Sequence, residues 1–168
     1  LKQLGDQVKK QPITETIEPL VSESQDQKST LLLNEFTQTL ILEQADFESL
    51  LKQLSNCTSF VFDLETNSLD YMNAEVVGLV FLLDKQSYYL PVAHDYLDAP
   101  EQLSRKSVMK SLKPILESQV IGKIGQNLKY DAHVLANVDV DLKGIADDTM
   151  IKSYCLNSVA TRHNMDDL

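Results

Sequence analysis

Two carboxylates stand two residues apart at the end of an apolar segment, Phe60-Val61-Phe62-Asp63-Leu64-Glu65-Thr66. Aromatic and β-branched residues lead this segment, which is typical of a strand, and side chains alternate between the two faces of a strand. Asp63 and Glu65 therefore point the same way, and their like charges repel each other. Divalent ions such as Mg²⁺ prefer oxygen ligands and often take one or two protein carboxylates plus a substrate phosphate. The spacing fits a cation site, and it also fits an ordinary strand end whose acids are solvated.

A third acid, Asp131, closes the segment Gly125-Gln126-Asn127-Leu128-Lys129-Tyr130-Asp131. If Asn127 begins a helix, then Asn127, Tyr130 and Asp131 lie on one helix face, because residues three and four apart are neighbours there. Such a face could complete a metal site with the two strand acids. It could equally be a surface face that carries one solvated aspartate.

The elements that must position these acids can be read from hydrophobic periodicity and turn residues. The last helix is expected to use Met150, Ile151, Tyr154 and Cys155 as its apolar positions. In chain order, the sequence predicts a strand at 39–42, a helix at 43–55, strands at 60–66, 76–83 and 87–92, a helix at 104–117, a strand at 120–124, and helices at 127–136 and from Asp148 or Thr149 onwards.

The order of these elements predicts the fold class. Three strands joined by short links favour an antiparallel meander, and a strand that follows a helical crossover favours a parallel neighbour. We therefore expect an α/β fold with a mixed sheet flanked by helices, of the ribonuclease-H-like kind. Fold class alone does not establish a function.

Composition excludes several classes of protein. The net charge of −10 argues against a surface that coats nucleic acid in general, although a nuclease whose acids hold metal remains compatible with it. No apolar run approaches membrane-spanning length and the start lacks a signal-peptide pattern, so a cytoplasmic protein without a membrane partner is expected. Cys57 and Cys155 are far apart in the sequence and are expected to be reduced thiols.

Several long segments resemble a known family. The segments 60–66 and 125–131 resemble the first and second exonuclease motifs of the DEDD superfamily. The segments 90–100 and 148–160, with Arg162-His163, make the chain similar more specifically to the proofreading domain of bacterial family A DNA polymerases. The similarity covers roughly residues 36–168, and it implies a ribonuclease-H-like exonuclease fold.

The resemblance implies a reaction and a set of metal ligands. Asp63 would bridge two divalent ions, Mg²⁺ or Mn²⁺, while Glu65 would bind the first ion and Asp131 would bear on the second. Two such ions stabilise both the attacking and the leaving oxygen of a displacement. The implied reaction is hydrolysis of the terminal phosphodiester at a 3′ end of DNA, with release of a nucleoside monophosphate (dNMP). Thr66 would help to place the 3′ hydroxyl.

The resemblance also implies contacts with a single-stranded 3′ end. Leu69 would act as an apolar wedge against the terminal bases, a contact that does not depend on sequence. Gln126, Asn127 and Tyr130 would contact sugar, phosphate or base near the cleaved bond, and Arg162 would approach the phosphate backbone. Structural alternatives are loop packing for Leu69, core packing for Tyr130 and a surface charge for Arg162.

The ends of the chain lead to a further set of expectations. Residues 1 to about 30 are polar and rich in Gln, Ser, Thr and Glu, which favours a linker or tail. The resemblance implies that residues 1–35 are the connector from a preceding 5′-nuclease domain. Residues 36–168 are interpreted as the exonuclease domain. The family has a third motif, a Tyr followed four residues later by an Asp, and the sequence ends before it, since Ser158 stands four residues after Tyr154. We therefore expect the 168-residue chain alone to bind metal weakly and to have little or no exonuclease activity.

Two other interpretations remain open at this point. The chain could belong to an RNA-trimming exonuclease of the same superfamily, or it could be a degenerate domain that serves only as a scaffold within a polymerase. The expected partners are a single-stranded 3′ end of DNA and the remaining polymerase domains of the same chain, in a monomer.

Overall fold

A computed structural model describes residues 36–159 and 162–164 of the chain. The predicted connector at 1–35 lies outside these residues, and the predicted domain boundary after residue 35 stays a prediction. In chain order the elements are β1 (Thr37–Leu40), α1 (Gln44–Asn56), β2 (Ser59–Thr66), β3 (Val76–Leu83), β4 (Gln86–Pro91), α2 (Arg105–Leu116), β5 (Gly122–Gly125), α3 (Leu128–Ala136), β6 (Ile145–Asp148) and α4 (Thr149–Leu156).

The six strands form one mixed sheet with the order β1-β4-β3-β2-β5-β6. Strands β2, β3 and β4 make an antiparallel meander, as their short links predict. The pairs β1–β4, β2–β5 and β5–β6 are parallel. The predicted fold class, an α/β fold with a mixed sheet and flanking helices, is therefore confirmed.

Side chains alternate along β2, so its apolar and its acidic side chains lie on opposite faces of the sheet. Phe60, Phe62 and Leu64 are buried, whereas Asp63 is half-buried and Glu65 is exposed. The Phe62 ring packs 5.6 Å from the Phe81 ring of β3, measured between centroids. Burying one such aromatic side chain contributes roughly 1.5–3 kcal/mol, so this face fixes the strand that carries the acids. The helix faces in this core include Phe47, Leu50 and Leu54 of α1 and Val108, Met109, Leu112, Ile115 and Leu116 of α2.

Short strands at the side of the sheet are where the sequence prediction differs most from the structure. β1 begins two residues earlier than predicted, and β5 begins at Gly122, which leaves Val120 exposed. Strand β6 was not predicted at all. Its residues Ile145-Ala146-Asp147-Asp148 show little apolar alternation, and they form a strand because the backbone pairs with β5.

The last helix begins where the sequence predicts, but its apolar positions are not buried. Ile151 and Tyr154 are 54% and 59% exposed, Cys155 is exposed, and no residue of α4 is buried. Periodicity indicates which residues share a stripe, but it does not indicate whether another element packs on that stripe. Both cysteines are free, as expected. Among the residues that the structure describes, no helix is long and apolar enough to cross a bilayer.

Candidate active site

The carboxyl ends of the parallel strands β2, β5 and β6 meet at one edge of the sheet. Val61 pairs with Ile124, and Gly125 pairs with Asp148. Asp63 and Gln126 follow closely after these pairs in the chain, so they lie near Asp148. In open α/β sheets this edge is the usual place for a ligand.

A cavity of about 320 Å³ opens at this edge. Its lining includes six of the nine residues that the sequence singled out, whereas Glu65, Thr66 and Leu69 do not line it. The lining residues are Asp63, Leu64, Gln126, Asn127, Tyr130, Asp131, Met150, Arg162, His163 and Asn164.

Asp131 is the most unusual group in this cavity. It lies in the first turn of α3 and is 2% exposed, and its Oδ2 is buried without a hydrogen-bond partner. Burial, together with the nearby charges of Asp63 and Asp148, raises the pKa of Asp131 from its ordinary value of 3.8 to about 8, and burial is the largest of these causes. An ionised carboxylate in this position is costly without a compensating positive charge.

The two strand acids lie in different environments. Burial raises the pKa of Asp63, and the charge of Glu65 adds to this effect, while the backbone N–H of Leu64 opposes it. Glu65 is exposed and pairs across the sheet with Gly78. Its charge also contributes to the raised pKa of Tyr89 on β4. Asp63 therefore lines the cavity, and Glu65, which does not line the cavity, still affects the pKa of Asp63.

The donor set suits a hard divalent cation, since every candidate ligand atom is a carboxylate oxygen. The unpartnered Oδ2 of Asp131, close to the repelling charge of Asp63, is the kind of group that such a cation would satisfy. Within 36–159 and 162–164, however, no three His, Cys, Asp or Glu side chains converge closely enough to hold a metal ion by themselves. The arrangement therefore fits one or two carboxylates with water or phosphate as the other ligands.

The turn before α3 is held by contacts that reach across the sheet edge. Asn127 has a left-handed backbone with φ 58° and makes no side-chain cap, and its N–H donates to Asp148 Oδ1 at 3.1 Å. The Nε2 of Gln126 donates to the carbonyl of His163 at 2.8 Å, and Thr149 Oγ1 donates to Gln126 Oε1. Both ends of the Gln126 amide are thus engaged within the protein.

The loop between β2 and β3 is tied to α3 by a tyrosine hydroxyl. Tyr130 Oη donates to the carbonyl of Ser68 at 2.5 Å and lies 2.7 Å from Thr66 Oγ1. Leu69, the next residue along this loop, is 93% exposed, which excludes the alternative that it packs within the loop. The hydroxyl of Tyr130 therefore anchors the loop that presents Leu69.

Arg162 and its neighbours close one side of the cavity. Arg162 is exposed, whereas His163 is buried with its Nδ1 2.8 Å from Ser153 Oγ. The carbonyl of His163 is the acceptor for Gln126 described above. These contacts hold the segment 162–164 at the cavity, where the guanidinium of Arg162 supplies a positive charge.

Sequence reasoning missed several residues at this site. Met150, His163 and Asn164 line the cavity, and Asp148 contributes to the electrostatics of Asp131. The sequence analysis placed Asp148 only at the start of the last helix, and the structure shows that its side chain caps that helix by accepting hydrogen bonds from the N–H groups of Met150 and Ile151. Its contacts with the start of α3, 20 residues away, leave no local sequence signal.

Three comparisons relate the chain to known proteins. A family model described as 3′-5′ exonuclease matches residues 38–168. The DNA polymerase I of Pseudomonas aeruginosa is 46% identical over 132 residues, which are 77% of this chain and 14% of that protein. The chain therefore spans only a small part of the length of this relative.

Solved structures share the fold at low sequence identity. The POL domain of Pol1 from M. smegmatis, in complex with DNA primer-template and dNTP, has a TM-score of 0.59 and 18% identity, over 77% of this chain and 21% of that one. Escherichia coli RNase D, an exoribonuclease, has a TM-score of 0.52 and 16% identity, over 71% of this chain and 29% of that one.

Proposed function

The chain belongs to the family of 3′-5′ exonuclease domains of DNA polymerase I, and we propose that it hydrolyses the terminal phosphodiester at the 3′ end of DNA as the proofreading part of a longer polymerase. The family resemblance read from the sequence is thereby confirmed. The assignment of individual residues, the identity of the metal ions, the product and the partners are our proposals.

The observation that carries this proposal is the buried carboxylate of Asp131 beside Asp63. Its Oδ2 has no hydrogen-bond partner, and the two acids line one cavity together with amide, phenol and guanidinium groups. A buried carboxylate with a purely structural role would be expected to have both oxygens hydrogen-bonded. Strongly perturbed carboxyls in a cleft are typical of functional sites.

Exonucleases of this family generally use divalent metal ions. We propose that Asp63, Glu65 and Asp131 would hold Mg²⁺ or Mn²⁺, with two ions in the complete domain. When bound, such ions lower the pKa of water and stabilise the developing charge on phosphate oxygens. The absence of a three-acid cluster among the described residues is consistent with weak binding that a phosphate or further ligands would strengthen.

The other cavity residues would bind and orient the strand. Arg162 carries a positive charge that can bind a phosphate. Asn127 occupies the N-cap position of α3, but its side chain makes no cap hydrogen bond, so the amide can contact the strand. Tyr130 and Gln126 would contact the terminal nucleotide through the faces of the ring and of the amide, since their polar atoms already have protein partners. Thr66 would help to place the 3′ hydroxyl through its contact with Tyr130.

Leu69 fits the proposed role of a wedge. It is almost fully exposed on a loop that is anchored to α3, so its side chain can meet a base without first losing protein contacts. Stacking and apolar contact of this kind do not depend on base identity. A sequence-independent grip suits an enzyme that removes whichever nucleotide stands at the end.

DNA is the favoured substrate over RNA. The chain is 46% identical to a DNA polymerase I, whereas its 16% identity to an exoribonuclease reflects a shared fold alone. We further propose that residues 1–35 connect to a preceding domain, that 36–168 form the exonuclease domain, and that the protein acts as a cytoplasmic monomer.

The test measures release of single nucleotides from a 3′-labelled strand by the full-length protein that contains this segment. Rates are compared for single-stranded DNA and RNA, with Mg²⁺ and with chelator, in the wild type, Asp63→Ala and Asp131→Ala. We expect dNMP release from DNA that requires the metal and is lost in both variants. Polymerisation by the same samples controls for folding.

Three results would contradict the proposal. Faster release from RNA would indicate the RNA-trimming alternative. Metal-dependent release that survives in both variants would place the reaction elsewhere, and an absence of release in the wild type would leave the scaffold role.

A further inference from the structure

Asp148 accepts hydrogen bonds from four backbone N–H groups that belong to two different helices. Its Oδ1 lies 3.0 Å from Met150 N and 3.2 Å from Ile151 N, at the start of α4. The same carboxylate accepts from Asn127 N at 3.1 Å and from Leu128 N at 2.8 Å, at the start of α3. With an exposure of 7%, it is a buried acid whose two oxygens are both used.

The helix α3 depends on this distant cap because it has none of its own. Asn127 occupies the N-cap position in a left-handed conformation, φ 58° and ψ 42°, and its side chain makes no cap hydrogen bond. The first N–H groups of a helix need an acceptor, and a buried donor without one costs roughly 1–3 kcal/mol. Asp148 supplies that acceptor from the end of the neighbouring strand β6.

The backbone that Asp148 holds is the backbone that carries the candidate site. Asp131 lies in the first turn of α3, three residues after Leu128. Gln126 and Asn127 form the turn that enters the helix, and both line the cavity. A shift of this turn would therefore move the proposed metal ligand and the proposed strand contacts together.

We propose that Asp148 is a positioning residue for the metal-dependent reaction, which sets the place of Asp131 by anchoring the first turn of α3 to the end of β6. It does not touch substrate or metal in this role. The inference rests on the proposed function, because it assumes that Asp131 is a metal ligand. Removing an outer residue of this kind typically reduces metal affinity or activity about 10- to 100-fold.

The experiment removes the reach of Asp148 to α3 and keeps the cap of α4. Asp148→Asn and Asp148→Ser both retain an oxygen that caps its own helix well. The asparagine loses one of the two acceptor oxygens, and the serine side chain is too short to reach Leu128 N. Asp147→Asn is the matched control, since Asp147 is the adjacent acid and pairs with the exposed Lys152.

The first measurement is the affinity of the full-length protein for Mn²⁺, by electron paramagnetic resonance, without nucleic acid. The difference between the wild type and Asp131→Ala defines the sites that belong to this cavity. We expect the dissociation constant of those sites to rise about tenfold in Asp148→Asn and Asp148→Ser, and to stay within twofold of wild type in Asp147→Asn. A dissociation constant reports on folded molecules, so partial unfolding does not mimic the effect.

The second measurement is dNMP release across a range of Mn²⁺ concentrations. A displaced ligand is expected to slow the reaction most at low metal, with recovery toward the wild-type rate at saturating Mn²⁺. A purely structural loss would lower the rate equally at every metal concentration.

Two outcomes separate the inference from the function beneath it. If the wild type and Asp131→Ala bind Mn²⁺ equally, the proposed metal site is wrong. If they differ but both Asp148 variants match Asp147→Asn in affinity and in rate at low metal, Asp148 is a framework residue only and the inference is overturned.

Discussion

Asp131 and Asp148 are two buried acids at the same edge of the sheet, and their surroundings are opposite. Asp148 accepts four backbone hydrogen bonds. Two of them connect the end of β6 to the start of α3, and the other two cap the start of α4. Asp131 sits in the first turn of α3 with one oxygen that has no partner, and burial with two neighbouring acids raises its pKa to about 8.

The difference teaches how a buried charge can be assigned to framework or to function. A buried carboxylate whose oxygens accept hydrogen bonds from the backbone contributes to the stability of the folded state. A carboxylate left without partners costs stability, and a protein retains such a group where binding or chemistry requires it. The following predictions would break or sharpen this contrast.

The largest effect is expected on the reaction. Asp131→Ala should lower the rate of dNMP release by the full-length protein by about a thousandfold, because a proposed metal ligand is lost. The measurement is single-turnover release from a 3′-labelled strand. Asp141→Ala, an exposed acid that pairs with Lys143 at the surface, should leave the rate unchanged. Comparable losses in the two variants would remove the distinction.

The next effect is on stability, and here the order of the two acids reverses. Asp148→Ala should lower the free energy of unfolding of the chain by about 3 kcal/mol, since four N–H groups lose their acceptor. The value comes from urea denaturation followed by circular dichroism. Asp147→Ala breaks only a partly exposed ion pair and should cost less than about 1 kcal/mol. Equal losses of unfolding free energy in the two variants would show that the cap contributes no more to stability than the ion pair does.

A smaller effect is expected in the pH dependence of stability with chelator present. The folded pKa of Asp131, about 8, lies above its ordinary value of 3.8, so the folded state binds more protons between these values. The stability that Asp131 contributes is fully present below about pH 4 and is lost as the pH rises through 8.

Asp131→Asn does not titrate, and its stability relative to wild type should therefore rise between pH 5 and pH 9, on the order of 1–3 kcal/mol. Urea titrations at both pH values measure it. A difference that stays constant with pH would mean that the buried acid is not the group that binds the proton.

The smallest effect concerns the loop that presents Leu69. Tyr130→Phe removes the hydrogen bond to the Ser68 carbonyl, and it should cost about 1 kcal/mol and speed hydrogen exchange within residues 67–75. Tyr154→Phe, at an exposed tyrosine of α4, is the control. Unchanged exchange in this loop would indicate that the tyrosine hydroxyl does not anchor it.

The parts of the fold that the sequence predicts are those set by local pattern. The alternation of Phe60, Phe62 and Leu64 against Asp63 and Glu65 was enough to predict β2 and the direction of its acids. The two-sided apolar run of β3 was predicted with its observed bounds. Strand β6 was missed because its four residues become a strand through pairing with β5, which no local pattern encodes.

The candidate site shows the same division. The residue types predicted an oxygen-rich site, and six of the predicted residues line one cavity. The burial of Asp131 and the capping of α3 by Asp148 both depend on contacts between segments that are distant in the sequence. The exposure of Ile151 and Tyr154 in α4 could not be predicted for a related reason, since an apolar pattern does not indicate whether another element covers those positions.

Two independent requirements apply to Asn127, one from its left-handed backbone conformation and one from the proposed contact of its side-chain amide with the strand. Glycine adopts such a conformation freely and asparagine adopts it more readily than most other residues, while the proposed contact with the strand requires an amide. Invariance at this position among homologues would therefore be ambiguous evidence, because the shape of the turn alone could account for it. Asn127→Gly, which keeps the turn and discards the amide, separates the two selective pressures.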